Sequence, residues 1–175
     1  MPNEATKFDL PDDYLQEIGR IAVSWNNLEN LLHHTLVLAL LDDFAQDGRA
    51  IAVFAHMTFP QKLDTLRTML QMGSTSGGKV FSDYCEKIQP LLKDCQEKRN
   101  AILHQSWSVQ DGTVKRFDIK ARGVLRLTLS DVTLDELKGI TALIIRTHQT
   151  MFELIAMPLA PKSAPQQGPI MENLI

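Results

Sequence analysis

Cysteine is scarce in this chain of 175 residues, with only Cys85 and Cys95 present. If both lie on one helix, the helical rise puts them ~15 Å apart, beyond the ~7 Å limit for a disulfide. Two reduced thiols suit a cytoplasmic location. A leader is lacking as well: the first residues, MPNEATKFDLPDD, are polar and acidic, not basic and then apolar, so no export is expected. Long apolar runs are missing too. The longest, LLHHTLVLALL from Leu31 to Leu41, holds two histidines and falls short of the ~20 residues of a spanning helix, which excludes a membrane segment there. Finally, no excess of positive charge exists. A net charge of -3 argues against a surface that coats nucleic acid through many phosphate contacts, so any RNA contact has to be local.

What is present is the composition of one ordinary domain, 44% hydrophobic and 22% charged, long enough to bury a core without staples. Charge is unevenly placed within it. From Lys98 to Arg126 seven basic residues (Lys98, Arg99, Lys115, Arg116, Lys120, Arg122 and Arg126) stand against Asp111 and Asp118, a basic stretch in an acidic chain. A solvated charged hairpin accounts for it as well as a substrate surface does.

Apolar periodicity divides the chain into helices. Ile18, Ala22, Trp25, Leu28, Leu32, Leu36 and Ala39 recur at steps of three and four, giving a first helix over Pro11 to Asp42. RAIAVFAH follows the Asp47-Gly48 turn as a second helical piece, and Thr58 with Pro60 opens a third through Met72. Phe81, Tyr84, Cys85, Ile88, Leu92, Cys95, Ile102 and Leu103 then share one face, with a kink or fresh start expected at Pro90. After His104 the pattern alternates: SWSVQ, the turn Asp111-Gly112, TVKRFDIK, the turn Arg122-Gly123, and VLRLTLS predict a small antiparallel meander. Ser130, or Thr133 with Glu136, caps a last helix to about Met157. The expected organisation is one domain over residues 1–157 and a proline-rich, disordered tail over 158–175.

Several site motifs are excluded. GSTSGGK, Gly73 to Lys79, approaches a phosphate-cradling loop, but Val80 stands where Ser or Thr must bind magnesium and a helix, not a strand, precedes it. A loop between helices is expected there. His33 and His34 point ~100° apart on a helix, and no HExxH or paired-cysteine spacing occurs, so no metal or other cofactor is expected. His56 and His148 lack an obvious acidic or cysteine partner, and no G-x-S-x-G turn supports acyl transfer.

One stretch breaks the pattern of its own helix. Following Ile88, Leu92 and Cys95, the apolar face of EKRNAILHQSW reaches position 99 and meets an arginine. An unpaired guanidinium is costly to bury, so Arg99 has a partner or opens onto a wet cleft. Glu29 interrupts the first helix's stripe in the same way, between Trp25 and Leu32. Two readings stand open. Arg99 and Glu29 form a buried ion pair across two helices. Alternatively, Arg99 works with His104 and Asn100, which share a helical face at the four-residue step. Arginine's fork suits phosphate oxygens, and histidine can take or give a proton near neutral pH. Cleaving RNA without metal needs those functions, a base, an acid and a fixed cation, and a two-fold dimer would supply the second histidine.

R-N-A-I-L-H, Arg99 to His104, resembles the signature of HEPN domains, in which an arginine is followed after four to six residues by histidine. The W-x-x-L-E-x-x-L pattern of Trp25, Leu28, Glu29 and Leu32 on a long first helix is similar to that family too. The resemblance implies a mainly α fold: a HEPN-like bundle of four to five helices with a small antiparallel meander inserted before the last one. It also implies a metal-independent endoribonuclease, homodimeric, with the motif at a shared cleft, in a family that includes toxins and phage-defence components. RNA would be the substrate, and an antitoxin or a neighbouring regulatory protein a partner. Arg99 would hold the phosphate, His104 act as acid or base, and Asn100 orient them. Glu29 would support them, and the nearby basic residues Lys98, Lys115 and Arg116 would hold substrate. The family also contains inactive members that only assemble or bind nucleotides.

Overall fold

The computed structural model describes residues 10–40, 48–122 and 124–160. The expected disordered tail therefore lies outside the described residues from 161 onward, as do the Asp47 and Gly123 turn positions. Helix α1, Asp12–Leu40, is the element on which most of the other helices pack. Its buried stripe is Ile21, Trp25, Leu28, Leu32 and Leu36, with Ile18, Ala22 and Ala39 only half-buried at its margin. Helix α2, Gly48–Ala55, places Phe54 against this core, and α3, Phe59–Met72, contributes Leu63, Leu66 and Leu70. The start of α3 is fixed as the sequence predicts: Gln61 Oε1 accepts from the Thr58 backbone N–H at 2.8 Å, and Pro60 sits in the first turn.

Residues 74–79 depart from expectation. They open helix α4, Ser74–Asp83, and do not form a loop. Its two glycines each cost about 1 kcal/mol relative to alanine. Burial just beyond them outweighs that cost, because Tyr84 is fully buried and its hydroxyl donates to the Leu63 carbonyl at 2.9 Å. A π-helical turn, Tyr84–Ile88, then leads into α5, Gln89–Leu103. The wider turn lets Gln89 N–H reach Tyr84 O, so Pro90, which has no N–H, is accommodated without breaking the rod.

The meander follows: β1 Ser106–Gln110, β2 Thr113–Arg122 and β3 Val124–Asp131, antiparallel in the order β1-β2-β3. Asp111 and Gly112 both have positive φ, 50° and 73°, the pairing that a two-residue turn matched to strand twist requires. Ser130 is taken into β3 opposite Arg116 and caps nothing; Thr133 Oγ1 accepts from Glu136 N–H and starts α6, Leu134–Met151. A second π turn, Phe152–Ala156, precedes α7, Met157–Leu159, so the expected end at Met157 is passed by two residues. The fold is mainly helical with one small sheet. Among the described residues no helix is long and apolar enough to cross a membrane.

Candidate functional site

The C-terminal turn of α5 carries the motif. The helix ends at His104, whose N–H still bonds the Asn100 carbonyl and whose φ of -109° leaves the helical region. The Trp107 indole, on β1, donates to the Ile102 carbonyl at 3.1 Å and satisfies one of the acceptors every helix C-terminus leaves open. The meander thereby holds the end of α5 in place.

Arg99 is half-buried and Asn100 half-buried, while His104 is exposed. Arg99 Nη1 lies 2.9 Å from Asn100 Oδ1 and 2.8 Å from His104 Nε2. A guanidinium only donates, so His104 Nε2 accepts and carries no proton in this arrangement. The three residues the sequence singles out are brought together by direct hydrogen bonds. Arg99 Cζ stands 5.4 Å from the centre of the Trp25 ring, a cation over an aromatic face. Its Nε is buried against that surface without a hydrogen-bond partner.

The expected Arg99–Glu29 ion pair is not formed. Glu29 Oε1 is 3.0 Å from Lys62 Nζ, and Glu29 Oε2 accepts from the Trp25 indole N–H at 3.2 Å. The Lys62 side chain is 7% exposed against 33% for Glu29. A buried ammonium costs several kcal/mol unless a carboxylate neutralises it, and Glu29 is committed there. Trp25 thus separates the two charges, offering its face to Arg99 and its edge to Glu29.

Lys62 was missed by sequence reading, although the same signal marks it. Phe59, Lys62, Leu63, Leu66 and Leu70 form the buried face of α3, with the lysine at a core step of three from Phe59 and four to Leu66. Around this pair opens a cleft of about 590 Å³ lined by α1, α2 and α3, including Asn26, Glu29, Asn30, His33 and Lys62. Burial holds the His33 imidazole below its ordinary pKa, and Lys62 and His34 push the same way while Glu29 opposes them. A second cleft of about 510 Å³ between α1 and α6 shares Asn30 and His34 with the first and adds His148.

The expected substrate-holding residues each have carboxylates of their own nearby. Lys98 is paired with Asp94 on its own helix, and Lys115 Nζ lies 3.0 Å from Asp131 Oδ1 across the sheet. Arg116 lines another cleft, with Asp94, Glu97, Lys98, Ala101 and Glu136. Glu97 and Ala101 are each two residues from Arg99, roughly 200° around the helix, so that cleft opens on the far side of α5. The side chains of Lys120, Arg122 and Arg126 lie outside the described residues. Among the described residues no group of three or more His, Cys, Asp or Glu side chains is placed to hold a metal ion. No family model, no curated protein and no solved structure matches the chain.

Proposed function

We propose that the protein is a metal-independent endoribonuclease of HEPN type, with Arg99, Asn100 and His104 as its reacting cluster. The observation that carries this reading is the state of Arg99: a half-buried guanidinium that no carboxylate among the described residues neutralises and whose Nη1 is hydrogen-bonded to the exposed His104 imidazole. Cations inside a fold are ordinarily paired. Arg99 rests on an indole, which supports it by about 0.5–2 kcal/mol and leaves its charge available to a phosphate.

The chemistry follows from those groups. A phosphate oxygen takes the Nη1 donor that His104 now accepts, which frees His104 Nε2 as a base. That nitrogen removes the 2′-hydroxyl proton, the 2′-oxygen bonds phosphorus, and the bond to the 5′-oxygen breaks. A second histidine, which has to enter the step as the imidazolium with its Nε2 turned from its own arginine, gives its proton to the leaving oxygen, and in a two-fold homodimer the partner subunit's His104 fills that role. Arg99 stabilises charge on the non-bridging oxygens. In this reading the enzyme acts as a toxin or phage-defence component, restrained by an antitoxin or a neighbouring regulatory protein.

RNA incubated in chelator with the parent, His104→Ala and Arg99→Ala tests it. Each variant is expected to lose about 10²-fold or more of the cleavage, the scale of general acid–base catalysis. Equal cleavage by all three removes the proposal. One observation favours a second reading, a non-catalytic dimerisation or nucleotide-binding module: every hydrogen bond of Arg99 stays within its own helix while its guanidinium covers Trp25, so the residue fastens α5 to α1. That reading predicts a lowered melting midpoint for Arg99→Ala and no cleavage by the parent.

A further inference from the structure

The cleft between α1, α2 and α3 begins where the Trp25 ring ends. Glu29, on its wall, accepts from the indole N–H whose ring carries the Arg99 guanidinium. One aromatic side chain therefore separates this cleft from the arginine proposed to hold the phosphate. Its volume of about 590 Å³ falls in the range of small-ligand pockets.

Its polar groups are arranged in a specific order. The two Glu29 oxygens each accept one internal hydrogen bond, from Lys62 and from Trp25, and each keeps a second acceptor site. Lys62 Nζ, beside them at 3.0 Å, has given one of its three donors to Glu29. Ile51 and Ala55 of α2 add an apolar wall. Two adjacent acceptors next to a donor complement a ligand edge with two adjacent N–H groups next to a carbonyl. Among the four RNA bases only guanine has that edge: N1–H and N2–H for the carboxylate, O6 for the ammonium. Adenine and cytosine present one amino group beside an acceptor, and uracil a single N–H between two carbonyls.

We infer that this cleft is a guanine-binding subsite, which seats the base of a nucleotide neighbouring the phosphate at Arg99. Single-stranded RNA is read in this manner, by a splayed base hydrogen-bonded along its Watson–Crick edge. The inference rests on the nuclease reading for its biological meaning but not for its test. Binding of guanosine, adenosine, cytidine and uridine 5′-monophosphates to the full chain is measured by calorimetry, for the parent, Glu29→Gln, Asn30→Ala and His104→Ala. The parent is expected to prefer the guanosine nucleotide about tenfold or more, the discrimination of one good bidentate pair. Glu29→Gln, which turns an amide donor toward the base, loses that preference; His104→Ala keeps it. Asn30 is an exposed residue on the cleft wall. Its alanine variant remains folded and weakens guanosine nucleotide binding severalfold, which covers a failure of Glu29→Gln to fold. Equal affinity for the four nucleotides, or none, overturns the inference. Cleavage of RNA by the parent, scored separately, tells the failures apart. Cutting with no guanine selectivity sinks the subsite and leaves the nuclease standing; guanine selectivity without cutting does the reverse.

Discussion

Arg99 and Lys62 are two cations set into apolar helix faces, and the fold treats them oppositely. Lys62 is set deep at the wall of the cleft and paired with Glu29; Arg99 is half-open and rests on Trp25. Desolvation decides which cation takes the carboxylate, because the deeper charge loses more hydration. His33 extends the same logic to proton binding. Its imidazole is disfavoured as a cation by burial first, then by Lys62 of α3 and His34 of α1, with Glu29 opposing and the Phe54 ring of α2 lying edge-on at 6.3 Å between centroids. The unfolded chain, with an ordinary imidazole near 6.5, binds a proton that the folded His33 refuses. Stability therefore rises with pH through that range and falls on acidification below it. Melting at pH 5.5 and 7.5 should show a smaller acid loss for His33→Gln than for the parent; identical losses would remove His33 from the account. At this scale the R-x-x-x-x-H spacing was legible, since residues 100 and 104 share a helical face at the four-residue step and Arg99 stands next to the first of them. The choice of Glu29 between Arg99 and Lys62 was not, because it depends on how deeply α3 seats against α1.

Helices and turns followed local rules wherever those rules were strong. The α1 stripe, the Thr58 start of α3 and the Asp111-Gly112 turn stand where periodicity and backbone chemistry put them. Helix α4 did not, because Tyr84 burial overrides two glycines, and no local signal reports how well a distant aromatic packs. Prolines 90 and 158 are handled alike: each follows a π turn, Tyr84–Ile88 or Phe152–Ala156, so both helical rods continue past a residue that cannot donate. A buried polar contact ties α1 to α6, where Thr141 Oγ1 donates to Glu17 Oε1 at 2.6 Å and Arg20 takes the other oxygen at 3.0 Å. Glu17 is only 3% exposed. Thr141→Val would strand half of that carboxylate at a cost of about 1–3 kcal/mol. Urea unfolding reads this as a lower midpoint with unchanged slope. An unmoved midpoint would show that Thr141 is not the donor that matters.

For the whole molecule, the described part of the basic segment noted in the sequence has carboxylates beside it. Lys98 and Lys115 are each matched with an aspartate, and Arg116 faces a cleft with three carboxylates across α5 from Arg99. Under the proposed function, substrate contact would concentrate at the Arg99 end and the neighbouring α1–α3 cleft, in keeping with a chain of net charge -3. The proposed mechanism needs two histidines, so the protein is expected to sediment as a dimer at the concentrations where it cuts RNA, and His104→Ala, an exposed change, should not alter that. A monomer at those concentrations would leave the leaving oxygen without its acid. The most direct test of the central claim is analysis of the ends left on RNA cut in the presence of chelator. In-line attack by the 2′-oxygen, assisted by His104, predicts 2′,3′-cyclic phosphate and 5′-hydroxyl termini that disappear with His104→Ala. Termini of 3′-hydroxyl and 5′-phosphate, or cleavage that needs a metal to be restored, would contradict it.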